Sequence, residues 1–447
     1  MTQPVYLDHA ATTPVRDEVM AAMAPYFGAR FGNPSSVHRW GREARVALDE
    51  ARERVAACLG AHADEVCFTS GGTEGDNFAI LGPFRTLRAQ GRDAALTTPL
   101  EHKAVLAAVH QVAHEGGEER LVRVSHDGLV DMAHFTELLD ERVAVASVMW
   151  VNNEVGVMQD VPALAAQSKA TGALFHTDAV QAFGKVPINA RHTPFDLLTI
   201  SGHKFGAPKG IGVLFIRRDT PLEPMFHGGS QDRGRRPGTE NVAFAVGLAT
   251  AAELLLAEHE VEHVRLSTMR AMLEQGLRER IPDVIIHAAG APRAPHITNL
   301  SIPGTSSESM LMALDLRGIA CSAGSACQSG SMSASHVLTA MGVAPDIANA
   351  AVRLSLGSLS TEACVLRTLD VLTTLAEKSR VGKAASASCA ARRPAETAER
   401  SSSPATRRPR CRRRGPAARS VALLLLLSLR RPFPPTPPWP TRAARAP

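Results

Sequence analysis

Between about residue 60 and residue 217, short apolar β-branched runs alternate with amphipathic helical stretches, and this constrains the fold more than any other feature of the chain. Strands are predicted at Val66–Thr69, Ala94–Thr97, Leu121–Val124, Val143–Met149, Leu174–His176, Leu197–Ile200 and Val213–Ile216. Helical periodicity fills Lys103–His114 and Val161–Thr171 between them. Strands apolar on both faces and joined through helices form parallel sheets, because a parallel connection needs a crossover long enough for a helix. The expected class is therefore α/β, a mostly parallel seven-stranded sheet flanked by helices.

Upstream, Arg42–Leu59 places Leu48, Ala51, Val55 and Leu59 on one face, the pattern of a docking helix. Downstream, one long helix is predicted over Val242–Arg280. A smaller α+β region follows, with strands at Val284–His287, Thr298–Ile302 and Val352–Ser355 and helices at Ser307–Leu316, Ala334–Met341 and Glu362–Glu377. The expected organisation is an N-terminal segment (1–15) packing on the small domain and the ligand site, a large domain (16–260), a small domain (261–382) that carries the cysteine-containing loop, and a tail (383–447).

The tail stands apart in composition. Residues 383–447 hold fifteen basic and two acidic residues, a net of +13; the whole chain carries +5, which leaves −8 on the first 382 residues. With eleven prolines and almost no apolar periodicity the tail cannot bury enough surface to fold, so it is expected to be disordered. It reads as a non-functional extension; binding of nucleic acid or an anionic surface is the alternative. Seven scattered cysteines with no CxxC spacing point to a reducing, cytoplasmic setting rather than a disulfide framework. The N-terminus lacks a signal-peptide pattern, and the longest apolar run, Val421–Leu427, is far short of a membrane span.

Three loops carry candidate chemistry. Thr69-Ser70-Gly71-Gly72-Thr73 follows a strand and opens a helix, so unpaired amides and a positive dipole face any bound phosphate; Thr73 and Asp76 resemble a capping pair. Taken alone it is an ordinary strand-to-helix turn. Asp178 ends a strand at the edge where open α/β sheets bind ligands, and suits a protonated ring nitrogen; its plain reading is a helix cap. Lys204, in Ser201-Gly202-His203-Lys204 after another strand, suits an imine with an aldehyde cofactor. A lone lysine is usually a surface group. An anion cradle, a ring-nitrogen carboxylate and an imine lysine are together the parts of a pyridoxal 5′-phosphate pocket.

Cys321-Ser322-Ala323-Gly324-Ser325-Ala326-Cys327-Gln328-Ser329-Gly330 is a small-residue run expected to be mobile. A cysteine there can reach both a buried substrate and an external acceptor, and attack on sulfur needs its thiolate. Cys321, six residues earlier, reads as a core residue at a strand end. His110 and His114 have i,i+4 spacing but no third ligand, so they read as a solvated helix face.

These loops, with Glu101-His102-Lys103, Val151-Asn152-Asn153-Glu154-Val155-Gly156 and Arg353-Leu354-Ser355-Leu356-Gly357, resemble the class V aminotransferase family and, within it, the cysteine desulfurases. The resemblance runs from about Val5 to Glu377. It implies pyridoxal-phosphate fold type I and the conversion of L-cysteine to L-alanine, with sulfur passed to an acceptor such as an iron–sulfur scaffold or a tRNA-thiolation enzyme. In that reading Lys204 binds the cofactor aldehyde, Asp178 its ring nitrogen and Gln181 its phenolic oxygen, while His102 stacks on the ring and moves protons. Gly72, Thr73, Ser201 and His203 hold the phosphate. Thr239, in Arg236-Pro237-Gly238-Thr239, reaches the phosphate of the other subunit and so implies a homodimer. Asn153, Arg353 and Asn33 bind substrate, Asn153 contacting the cofactor as well, and Cys327 is the sulfur-accepting nucleophile; no resident metal is expected, Cys327 serving at most as a transient iron–sulfur ligand. Departures are mild: Asp8-His9 where an aromatic or Asn often follows the Asp, Gly206-Ala207-Pro208 after the lysine, and the unusual tail. An aminotransferase on this fold, a sulfur-relay subunit without catalysis and a selenocysteine lyase remain the alternatives.

Overall fold

The computed structural model describes residues 3–323 and 334–391. The segment 324–333, which contains Cys327, and the Arg/Pro-rich stretch beyond 391 lie outside the described residues.

Strand β1 (Val5–Tyr6) precedes a first run of seven: β2 (Val66–Thr69), β3 (Ala94–Thr97), β4 (Glu118–Leu121), β5 (Val143–Ser147), β6 (Leu174–Asp178), β7 (Leu197–Ser201) and β8 (Gly212–Ile216). They form one sheet in the order β2-β8-β7-β6-β5-β3-β4, in which only β8 runs against its neighbours. Every other strand therefore delivers its carboxyl end to the same edge. The expected seven-stranded, mostly parallel sheet is present. Its central strands are buried along their whole length, as the apolar runs require.

The edge strand is the exception. It was expected at Leu121–Val124, but β4 runs from Glu118 to Leu121 with no buried residue. A strand that pairs on one side only has no need of apolar side chains, and charged residues guard it against further pairing.

The chain returns in β9 (Ile285–Ile286), β10 (Ile297–Ser301), β11 (Ile319–Ala320) and β12 (Ala351–Ser355). Strands β9, β10 and β12 make an antiparallel sheet, while β1 pairs in parallel with β11. The two largest apolar cores among the described residues follow from this layout. One joins β2, β5, β6, β7 and β8 to the helices Arg39–Leu59 and Val242–Ala257 through residues such as Leu48, Phe175, Leu198 and Leu248. The other joins β1, β10 and β12 to the helices His259–Arg280 and Glu362–Ala391 through Val5, Leu273, Leu300, Leu354 and Leu369.

Two helices depart from expectation. The single helix over Val242–Arg280 is two, Val242–Ala257 and His259–Arg280, bent by 69°. No glycine or proline marks the break. Tertiary contacts set it: Arg16 grips Glu258 through two 2.7 Å bonds, and the His259 ring lies 3.1 Å from the Gly184 carbonyl. No single helix among the described residues is long and apolar enough to cross a membrane. The last helix, expected over Glu362–Glu377, runs on to Ala391 through a stretch rich in alanine.

The C-terminal helix gives a direct test of the second core. Leu369 is 2% exposed against the core and Leu366, one turn earlier, is 48% exposed. Leu369→Ala should cost about 2–5 kcal/mol in denaturant unfolding and Leu366→Ala no more than about 0.5 kcal/mol. Equal losses would contradict the packing face.

Candidate active site

Loops leaving the carboxyl ends of β2, β3, β5, β6 and β7 enclose a pocket of about 360 Å³ whose floor and walls include Thr73, His102, Asn153, Asp178, Ser201 and Lys204. Gly72, Gln181, His203 and Arg353 also line it. Most of the residues singled out in the sequence are thus brought together.

The end of the pocket facing Gly72–Leu87 is built for an anion. That helix begins at Gly72, and Gly71 is its N-cap at φ +149°, a conformation that side chains rarely adopt. A Cβ on Gly72 would come within 3.1 Å of Val180. The expected Thr73–Asp76 capping pair is not formed: no side chain caps the helix, and Glu74 instead reaches back to the Ser70 amide at 2.8 Å. Thr73 sits in the first turn beside Ser201 and His203. Burial, with Lys204 and Lys209 nearby, holds His203 at about 4, so its ring is neutral. Its Nδ1 lies 3.1 Å from the Thr12 hydroxyl.

Two buried carboxylates occupy the middle. Asp178 closes β6 and accepts the Val180 amide at 2.8 Å; turns rather than a helix follow it, so its side chain braces a turn and caps no helix. Burial raises its pKa, while His102 and Lys204 draw it back down. Asp76 is 1% exposed, and burial together with the Asp178 charge pushes its pKa well above the carboxylate range. Two like charges this deep oppose each other's ionisation, so both carboxyls are raised, Asp178 with His102 and Lys204 beside it as counterweights. Sequence reasoning missed Asp76 as a site residue; its place one helical turn past Gly72 was the available signal.

His102 caps the helix Lys103–His114, its Nδ1 accepting the Ala104 amide at 3.2 Å. That fixes the proton of the neutral ring on Nε2. Burial lowers its pKa. Below it Glu101 is fully buried, accepting the Met149 amide and the Thr98 hydroxyl, and so braces the loops after β3 and β5. Gln181 donates to the Ala10 carbonyl at 2.8 Å, and its Oε1 meets His296 at 3.3 Å.

Lys204 follows β7 in a short turn, and its Nζ donates to the carbonyls of Ala10 and Ala11 at 2.7 and 2.9 Å. The N-terminal segment, expected to pack on the small domain and the active site, thus lies at Lys204 through these two carbonyls. Arg353, on β12, donates to the Asn153 carbonyl at 2.8 Å and pairs with Asp8 at 2.9 Å. His336 also lines the pocket, its Nε2 3.0 Å from the Glu101 carbonyl, and was not foreseen.

Two expected residues lie elsewhere. Asn33 is outside the pocket, folded into its own turn with Oδ1 accepting the Ser35 amide at 2.9 Å. Thr239 lines a separate cleft with Ser70, Asp232 and Arg236. His110 pairs with Glu119 at 3.2 Å on an exposed face. Cys321 follows β11, and burial lifts its thiol to about 12, the behaviour of a core residue.

The model of the family described as aminotransferase class V matches residues 5–367. The chain belongs to the class V aminotransferase family. It is 42% identical over 380 residues to a cysteine desulfurase IscS of Dictyoglomus turgidum, covering 85% of this chain and 96% of that one. It is 44% identical over 360 residues to cysteine desulfurase NifS of Azotobacter vinelandii, covering 80% and 89%. Among solved structures it matches a NifS-like protein with a TM-score of 0.78 at 34% identity, covering 83% of this chain and 99% of that one. It also matches DndA from Streptomyces lividans, at 0.67 and 38%, covering 78% and 99%.

Enzymes of this family use pyridoxal phosphate, and the residues present fit it. A glycine-lined helix start with hydroxyls suits the phosphate, the desolvated Asp178 carboxyl suits a cation such as a pyridinium, and Lys204 is within the same pocket.

The neutral ring of His203 makes a testable contribution to stability. The unfolded chain takes up this proton near 6.5 and the folded chain only near 4, so the stabilisation is full above pH 6.5 and is lost as pH falls towards 4. In apoprotein unfolding, His203→Asn should flatten the fall in stability across that window by up to one proton; an unchanged slope would contradict the assignment.

Proposed function

We propose that this chain is a cysteine desulfurase that carries pyridoxal phosphate on Lys204, takes L-cysteine, and hands its sulfur as a Cys327 persulfide to an acceptor protein. One observation carries the reading. A buried carboxyl (Asp178), an anion cradle, a lysine and an unsaturated arginine meet in one pocket at the carboxyl edge of the sheet. The desulfurase names of its relatives support the reaction, as does a matched structure of SspA in complex with cysteine, 30% identical at a TM-score of 0.69 and covering 79% of this chain.

Bound pyridoxal phosphate supplies an electron sink for charge developing on the substrate carbon skeleton. Thr73, Ser201, His203 and the amides after Gly71 bind its phosphate. Asp178 holds the ring nitrogen protonated, and Gln181 turns an amide N–H to the phenolic oxygen. His102, with its proton on Nε2, would face the ring and could pass protons. Lys204, which would hold the cofactor aldehyde, is kept at the Ala10 and Ala11 carbonyls, where its amine could also carry a proton. Arg353 and Asn153 receive the substrate carboxylate, with Asn33 as a further substrate contact.

Cys327 lies four residues beyond Ala323, the last described residue before it. The described residues on either side of its segment are anchored at the pocket rim: Ser322 pairs through its backbone with Arg353, and Ser335 hydrogen-bonds Glu154. Attack by the Cys327 thiolate breaks the substrate C–S bond and forms an S–S bond; the carbon gains a proton, and alanine leaves. An iron–sulfur scaffold or a tRNA-thiolation enzyme is the acceptor we favour. A homodimer, with Thr239 completing the neighbouring phosphate site, a large domain over 16–260 with a small domain over 261–382, and a cytoplasmic location complete the proposal.

The experiment is mass spectrometry after incubation with L-cysteine. The expected result is one added sulfur atom on the Cys327 peptide together with released alanine, both lost in Lys204→Ala and the adduct lost in Cys327→Ser. Full turnover of Cys327→Ser with a 2-oxo acid as acceptor would make the chain an aminotransferase instead.

A further inference from the structure

Asp8 sits in the N-terminal segment, and its backbone is fixed on several sides. The Leu7 amide donates to Ala320 at 2.8 Å, the Ser355 amide to Leu7 at 2.7 Å, and the Asp8 carbonyl accepts the Ala11 amide at 3.0 Å and the Tyr6 hydroxyl at 3.2 Å. The segment is thus tied to β11 and β12. Arg353, on β12, is equally fixed, its amide donating to the Ser322 carbonyl at 2.7 Å.

Between these frames the side chains meet. The Asp8–Arg353 pair is 2.9 Å long, with the arginine side chain 5% and the aspartate side chain 19% exposed. A guanidinium has five N–H donors in a rigid fork. Here one terminal nitrogen binds Asp8 and the other the Asn153 carbonyl. Nε is buried with no acceptor among the described residues, so the protein does not saturate the group. An arginine held at both ends and left with unused donors is set for a carboxylate, because its rotamers are fixed before the ligand arrives.

We propose that Asp8 is a positioning residue for substrate recognition, holding Arg353 so that its remaining donors face an α-amino acid carboxylate. The inference rests on the site reading above, in which Arg353 receives that carboxylate. It adds a specificity rule: the Asp8 charge offsets the arginine, so the pair accepts one carboxylate and gains nothing from a second negative group on the ligand. It also links the two ends of the site, since Asp8 holds the substrate anchor and, two and three residues on, Ala10 and Ala11 hold Lys204.

The test uses the holoenzyme of wild type, Asp8→Asn and Asp8→Ala, with L-cysteine turnover and, separately, binding of cysteamine, which lacks the carboxylate. Loss of one charge-assisted hydrogen bond corresponds to about a tenfold or larger effect. Asp8→Ala should raise KM for L-cysteine by about that factor and Asp8→Asn by less, with kcat changed by less than about twofold. Cysteamine binding, followed by the visible absorbance of the cofactor, should not move. Equal weakening of cysteine and cysteamine, a fall in kcat at constant KM, unchanged kinetics, or failure of both variants to hold the cofactor would each overturn the positioning role. A wild-type protein with no cofactor absorbance, or one that makes no alanine, would instead refute the function on which the inference rests.

Discussion

The site depends on a contact far apart in sequence and short in space: Lys204 Nζ against the carbonyls of Ala10 and Ala11. A lysine at the end of a buried strand needs acceptors, and the Ala10 and Ala11 carbonyls are two of them. The chain supplies them by threading its first residues between the two cores. Residues 5–8 pair with β11 and β12, and residues 10–13 then pass along the mouth of the large sheet, where Thr13 also bonds His203 and Gly206. The amino terminus therefore registers the arginine side of the pocket against the lysine side.

The second constraint is the accounting of charge in a dry pocket. Asp76, Asp178 and Glu101 lie close together below the ring site, and burial raises all three, Glu101 to about 8. Their environments differ in what offsets burial. Asp178 has His102 and Lys204 beside it, whereas Asp76 has a second carboxylate. The histidines around them, His102, His176 and His203, are all lowered by burial and stay neutral. The outcome is a buried carboxyl, Asp178, flanked by His102 and Lys204, an arrangement that suits a ligand with a cationic ring and an aldehyde.

Much of this was legible in the sequence, and for physical reasons. Buried parallel strands must be apolar on both faces, so β2, β3 and β5–β8 announced themselves. The loops after them hold the chemical groups, because carboxyl edges of such sheets are where ligands fit. What escaped was whatever tertiary contact alone decides. The edge strand β4 is charged, so its register slipped by three residues. The break at Glu258 comes from Arg16 across the fold rather than from a local breaker. Gly71 took the cap that Thr73 and Asp76 were expected to form. Asp8, Ala10 and Ala11 act through position and backbone, which no motif advertises, and His336 joins the pocket only because the helix His336–Ala340 packs against the Glu101 loop. Thr239 and Asn33, named through family resemblance, lie outside the pocket of the single chain.

The most direct test of the account is to trap the cofactor on the protein. Borohydride reduction of the holoenzyme, followed by proteolysis and mass spectrometry, should leave a phosphopyridoxyl group on the peptide containing Lys204 and on no other lysine. An adduct on Lys185 or Lys209, or none, would contradict the site built here.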